Sequence, residues 1–148
     1  MANKTTKTTK ITSSKLVSQH SNTIEKLGMF NITVKDIEKI KDFYTSTLGF
    51  SVVVENKYGN NHFIKMDVPG GSAINLIKEN PEYPDGLKPG VMKLYLFSSD
   101  IEQTYADLKA KGTKLNNKIQ EQQWDKKVKQ VDFNDPDGNQ WFVVQFLN

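Results

Sequence analysis

The chain has 148 residues, of which 36% are hydrophobic, and its eight Phe, five Tyr and two Trp are enough for the core of one globular domain. It has no Cys, which excludes disulfides, a thiolate nucleophile and metal sites built on thiolates. The formal net charge is +3, but residues 1–26 alone carry a net +4 and the remainder carries a net −1.

Residues 1–26 form a tail rich in Lys, Thr and Ser with few large apolar side chains. Such a composition buries too little surface to offset the entropy of ordering, so we expect a disordered or loosely docked, solubilising tail. The chain has no apolar run of about 18 residues and no N-terminal secretory signal, so we expect a soluble cytoplasmic protein without a membrane partner. All basic residues are Lys, which argues against a nucleic-acid partner, because Arg makes the bidentate contacts to bases and phosphates.

Residues 27–80 predict one β-α-β-β-β module. The segment FNITV alternates as a strand, and then Ile37, Ile40 and Tyr44 share one face of a helix that Asp36 caps at its N-terminus. The segments FSVVVENKY, NHFIKMDV and SAINLIKE follow as three antiparallel strands, separated by GNN and PGG. Residues 81–90 contain three Pro and two Gly, and we interpret them as a linker.

Residues 91–148 repeat this plan after 64 residues, because Asp100-Ile101 aligns with Asp36-Ile37. A strand containing KLYLF precedes a helix, for which Ser99 and Glu102 have the spacing of a capping box. TKLNNKIQEQ, KKVKQVDFN and NQWFVVQFL predict three further strands, the last two joined by DPDG, which suits a type I turn closed by a glycine at positive φ. Two curved sheets, each backed by one helix, would enclose a shared cavity between the modules.

This order of elements, with FY and LGF around the first helix and FNDPDGNQWFVVQ near the end, resembles the vicinal oxygen chelate (VOC) superfamily. That superfamily includes glyoxalases, extradiol dioxygenases, fosfomycin-resistance enzymes and bleomycin-resistance proteins. The resemblance covers residues 27–148 and implies an α+β fold of two βαβββ modules, assembled as a homodimer. In metal-dependent members it also implies four ligands on the pocket-facing side of the strands, and these positions fall on Met29, Asn75, Lys93 and Phe142.

None of these four side chains suits a divalent transition metal, so we expect neither a metal nor another cofactor. A thioether is a soft ligand, a neutral amide is a weak one and a phenyl ring has no lone pair. An ammonium would repel a dication by roughly 4 kcal/mol for each unit of the metal's charge, at 4 Å and an effective dielectric near 20. Strand alternation places these four residues on the pocket side together with Asn31 and Tyr95. It leaves the face of His62 open, and the resemblance puts Trp124 in a loop near the pocket mouth. The predicted ligand-binding residues are Met29, Asn31, His62, Asn75, Lys93, Tyr95, Trp124 and Phe142.

Each predicted role has an ordinary alternative. Met and aromatic side chains suit a flat or apolar small molecule, but they also suit a filled second core. Lys93 suits an anionic group or a base of lowered pKa, or its ammonium extends to water. His62 suits a ligand contact or acid–base work, or it is a hydrogen-bonded surface residue. Trp124 suits a lid over the pocket, or plain surface cover.

The favoured functional hypothesis is a metal-independent binding protein that sequesters a small organic molecule in the cavity. The alternative is a VOC-type enzyme, a lyase, isomerase or dioxygenase, that works without metal through Lys93, Tyr95 or His62, or with relocated metal ligands. A third hypothesis is that the cavity is filled and that the protein acts through its surface and tail. The sequence does not decide whether the protein is an enzyme.

Overall fold

The computed structural model describes residue 23, residues 28–82 and residues 88–148. Apart from Thr23, the predicted tail lies outside the described residues, and so does the middle of the predicted linker. Within the described ranges, neither helix has the length and hydrophobicity that a bilayer-spanning segment needs.

The first module begins with β1 (Phe30–Val34) and α1 (Ile37–Ser46). Three strands follow, β2 (Ser51–Tyr58), β3 (Asn61–Val68) and β4 (Ser72–Lys78). The sheet has the order β1-β4-β3-β2, in which β1 and β4 are parallel and the other pairs are antiparallel. Asp36 caps α1 as predicted, because its carboxylate accepts a hydrogen bond from the backbone N–H of Lys39 at 3.1 Å.

The second module contains β5 (Lys93–Phe97), α2 (Ile101–Ala110), β6 (Gln120–Glu121), β7 (Val128–Asn134) and β8 (Gln140–Phe146). Its sheet has the order β5-β8-β7-β6, with β5 and β8 parallel, which repeats the arrangement of the first sheet. The prediction of an α+β fold with two βαβββ modules is confirmed.

Two details of the second module differ from the prediction. Asp100, the residue aligned with Asp36, caps α2, so the capping box predicted at Ser99 is wrong. In addition, β6 has only two residues instead of the predicted long strand. The chain before it is held to β7 mainly by asparagine side chains, which compete with a regular backbone ladder.

Both modules share one hydrophobic core, which lies between the helix-facing sides of the two sheets. Helix α1 contacts the second module as well as its own sheet: its Phe43 ring lies 6.1 Å from that of Phe133, and its Tyr44 ring lies 5.3 Å from that of Trp141. The fully buried strand residues of this core include Ile32, Val34, Ile64, Met66, Ile74, Leu76, Val131 and Phe133. The modules therefore contact each other through their helix-bearing sides.

The other side of each sheet points away from this core, and we call it the open face. The open face of the first sheet carries Asn31, Thr33, Phe63, Lys65, Asn75 and Ile77. The open face of the second sheet carries Lys93, Tyr95, Phe97, Asp132, Gln140, Phe142, Val144 and Phe146. This arrangement differs from the expectation that one chain would enclose a cavity between its own two sheets, because the shared core holds the sheets with their open faces outward.

Candidate functional site

Four aromatic rings lie together on the open face of the second sheet. Tyr95 and Phe142 are neighbours across β5 and β8, and their rings stack with centroids 4.8 Å apart and an interplanar angle of 15°. Phe97 and Phe146 form a second pair, with centroids 5.7 Å apart. Tyr95, Phe97 and Phe146 are 58%, 75% and 60% exposed. An exposed aromatic surface of this kind is a candidate binding site for a partner or an apolar ligand.

Asp132 lies on the same open face, although it was not among the predicted ligand-binding residues. It is 4% exposed, and its carboxylate accepts hydrogen bonds from the side-chain amides of Asn117 at 2.6 Å, Asn116 at 2.7 Å and Gln140 at 2.8 Å. Burial alone would raise the pKa of Asp132, but these amide donors hold the pKa below its ordinary value. The aromatic row therefore has a fixed negative charge beside it at neutral pH. The alternation of VDF along β7 was the signal that could have located this residue.

The open face of the first sheet is more polar. Asn31 and Asn75 are neighbours across β1 and β4, and Lys65 of β3 lies beside Asn75 on the other side. The side-chain oxygen of Asn75 is buried, and none of the described residues forms a hydrogen bond with it. An unsatisfied buried carbonyl costs about 1–3 kcal/mol, so a bound group that reoriented this amide and donated to it would be favoured.

The DPDG turn between β7 and β8 connects the second module to α1. The Asp135 carboxylate accepts a hydrogen bond from the Tyr44 hydroxyl at 2.6 Å, and it also accepts from the Asn139 side chain at 2.8 Å. Asp137 accepts from the backbone N–H of Lys35 at 2.7 Å. Burial and the negative charge of Asp135 raise the pKa of Tyr44 far above its ordinary value, so the hydroxyl remains a donor. Both carboxylates therefore serve the contact between the modules.

Comparison with known proteins agrees with this architecture. Residues 26–143 match the family model described as the Glyoxalase/Bleomycin resistance protein/Dioxygenase superfamily. The chain belongs to this superfamily. A solved superfamily member from Sphaerobacter thermophilus DSM 20745 is 33% identical with a TM-score of 0.70, and the match covers 82% of this chain and 98% of that one.

The chain is also similar to two other proteins. TnmS3, an antibiotic binding protein from Streptomyces sp. CB03234, is 27% identical with a TM-score of 0.70, over 84% of this chain and 98% of that one. The curated protein YetH of Bacillus subtilis (strain 168) is 24% identical over 122 residues, which are 82% of this chain and 99% of YetH.

The resemblance assigns the superfamily's metal-ligand positions to Met29, Asn75, Lys93 and Phe142, and this assignment stays a prediction. Met29 and Asn75 belong to the first module, and Lys93 and Phe142 belong to the second. The shared core lies between the helix-facing sides of the two sheets, so the open faces that carry these two pairs lie on opposite sides of the core. A thioether, an amide, an ammonium and a phenyl ring also do not fit a divalent metal.

The two remaining predicted site residues, His62 and Trp124, do not belong to the aromatic row. His62 lies on the helix-facing side of β3 with Ile64 and Met66, and its Nε2 is 2.8 Å from Glu55 Oε1, so its role as a ligand-binding residue stays a prediction. Trp124 lies in the connection between β6 and β7 and is largely exposed. Its role as a lid or stacking residue stays a prediction.

Proposed function

We propose that this superfamily member binds a planar aromatic small molecule and sequesters it without using a metal ion. The observation that carries the proposal is the row of four aromatic rings on the open face of the second sheet. Aromatic side chains gain about 0.5–1.5 kcal/mol per well-placed ring pair beyond the burial of area, so a flat ring system is the ligand that this surface favours. The similarity to TnmS3, an antibiotic binding protein, supports a small organic ligand.

Polar groups at one end of the aromatic row would orient the ligand. Lys93 is exposed and lies beside Gln140, whose amide donates to Asp132. A few placed polar groups beside an apolar surface are typical of small-molecule sites. Ring substituents that carry charge or hydrogen-bonding groups would therefore decide which aromatic compounds bind.

In this proposal a second copy of the chain closes the pocket. The two open faces of one chain point away from the shared core, so the polar face of the first sheet can meet the aromatic face of the second only across an interface between chains. A twofold dimer would create two equivalent pockets of this kind. The exposure of Phe97 and Phe146 in the single chain fits surfaces that become covered on assembly.

Two planar probes of opposite charge test the binding site, 9-aminoacridine and anthraquinone-2-sulfonate. We expect at least one of them to raise the melting temperature and to bind in isothermal titration calorimetry. Tyr95→Ala and Phe142→Ala should each weaken that binding by about tenfold, which corresponds to the loss of roughly 1.4 kcal/mol of stacking and burial.

Tyr105→Ala is the matched control, because Tyr105 lies on α2, on the other side of the same sheet. It should leave the affinity for the probe unchanged. Lys93→Ala should weaken the anionic probe more than the cationic one. Failure of both probes to bind, or an equal loss of affinity in all the tyrosine and phenylalanine variants, would contradict the proposed site.

Sedimentation analysis tests the dimer separately. Phe97→Glu places a charge in the aromatic row and should convert a dimer to monomers. Ala106→Glu places the same charge on an exposed position of α2 and should leave the dimer intact. A wild-type chain that sediments as a monomer at tens of micromolar would refute closure by a second copy.

A further inference from the structure

We propose that Glu38, Glu55 and His62 form a binding site for a divalent transition-metal ion on the helix-facing side of the first sheet. The three side chains come from α1, β2 and β3, and their ligating atoms lie within 4.8 Å of one another. One imidazole nitrogen and two carboxylate oxygens are a donor set that suits zinc, cobalt, nickel or manganese. This site lies on the other side of the sheet from the open face and does not depend on the proposed small-molecule function.

The distances between the three groups require little adjustment. His62 Nε2 lies 2.8 Å from Glu55 Oε1 and 4.0 Å from Glu38 Oε1. Around a tetrahedral zinc ion with bonds of about 2.0–2.1 Å, neighbouring ligand atoms are roughly 3.4 Å apart, which lies between the two observed values. The His62 side chain is only 10% exposed, so its ring position is held by packing, whereas Glu38 is half exposed and can shift.

The carboxylate oxygens divide into an outer and an inner pair. The outer oxygens are Oε2 of both glutamates, and both contact the ammonium of Lys41. The distance from Lys41 Nζ to Glu55 Oε2 is 3.4 Å. The inner oxygens, Oε1 of both glutamates, face His62 Nε2. Lys41 therefore acts as a positioning residue, because it holds the outer oxygens and directs the inner ones toward the imidazole.

A second ammonium already lies beside the inner oxygens. Lys57 Nζ is 3.5 Å from Glu38 Oε1 and 3.8 Å from Glu55 Oε1. These contacts are long and the Lys57 side chain is 63% exposed, so they contribute little and are easily exchanged. The ammonium marks where positive charge is attracted. A dication would displace it, since a dication carries twice the charge and can also bind the His62 imidazole.

The site is accessible from solvent. Glu38, Lys57 and His62 line one part of an open cleft of about 870 Å³ between the N-terminal end of α1 and the turn that joins β2 to β3. An ion could therefore enter through the cleft and complete its coordination with water. Bound metal would connect α1 to the β2–β3 hairpin and stabilise the first module.

Metal titration of the full chain tests the proposal. We expect one Zn²⁺ to bind per chain in calorimetry, one Co²⁺ to produce a visible absorption band, and both ions to raise the melting temperature. His62→Ala and Glu55→Gln should each weaken Zn²⁺ binding by about tenfold or more. His20→Ala is the matched control, because His20 is the only other histidine of the chain, and it should bind Zn²⁺ as the wild type does.

Lys57→Ala has the opposite expected sign. It removes the competing ammonium and should tighten Zn²⁺ binding several-fold. If these residues formed only a surface ion-pair network, the substitution would not increase the affinity for Zn²⁺. If His62→Ala fails to fold, Glu55→Gln and Lys57→Ala still test the site by their opposite effects. The proposal is overturned if the wild type does not bind Zn²⁺, if binding is lost in His20→Ala and kept in His62→Ala, or if Lys57→Ala weakens it.

Discussion

Tyr44→Phe would test whether the contact between the DPDG turn and α1 contributes to stability. The substitution removes only the hydroxyl that donates to Asp135 at 2.6 Å, and both residues are buried. Asp135 keeps the Asn139 side chain and two backbone N–H groups as donors, so its carboxylate stays partly satisfied. Hydrogen bonds to charged groups contribute about 1.5–3 kcal/mol, so we expect the free energy of unfolding to fall by about 2 kcal/mol.

Urea denaturation followed by circular dichroism would measure this loss, and the melting temperature should fall by roughly 5–8 °C for a chain of this size. Tyr58→Phe is the matched control, because the Tyr58 ring is exposed and its substitution should leave the free energy of unfolding unchanged. A loss below about 0.5 kcal/mol in Tyr44→Phe, or an equal loss in both variants, would refute the view that this hydrogen bond joins the modules.

Two further substitutions test local features of the fold. The hydrogen bond from Lys41 holds the pKa of Glu38 below its ordinary value. The wild type should therefore be more stable than Lys41→Met above about pH 4.5, and this difference should disappear as the pH falls through the lowered pKa. Urea denaturation at pH 7, 5 and 3 would measure the difference, and a difference that does not change with pH would contradict the prediction. Gly90→Ala should destabilise the chain by about 1–3 kcal/mol, because φ is +79° and the new Cβ would lie 2.4 Å from the Asp137 carbonyl oxygen. Gly112 has a similar φ of +80°, and a Cβ there would meet no atom of the described residues within 4 Å, so thermal melts of Gly112→Ala should show a smaller loss. Equal losses in the two variants would exclude the steric clash as the cause.

Local signals in the sequence were sufficient to predict the two modules. The change from alternation by two to helical spacing located each helix, and the N-cap of the first helix was predicted correctly at Asp36. The capping box predicted at Ser99 failed because a stronger cap, the Asp100 carboxylate, follows immediately. The predicted long strand before β6 failed because Asn116 and Asn117 bind Asp132 through their side chains, and strand propensity does not describe that competition.

The packing of the modules against each other was beyond these signals. Periodicity identifies which side of each sheet is buried, but it does not say that α1 packs against the second sheet as well as its own. The open faces therefore point outward, although the repeat suggested that they would enclose a cavity. His62 shows the same gap at the scale of one side chain, because the sequence left its side of the strand open, and only the pleat of β3 in the structure places it beside α1.

The hydrogen bond between Tyr44 and Asp135 has no counterpart in the other half of the repeat. At a spacing of 64 residues, the position of Tyr44 corresponds to Leu108 and the position of Asp135 corresponds to Gly71, neither of which has a polar side chain. Two copies of the first half would bury a hydroxyl without its acceptor, and two copies of the second half would leave a carboxylate without its donor. The duplicated halves are thus no longer interchangeable, and this single directional bond favours the pairing of unlike halves over the mispairing of like ones.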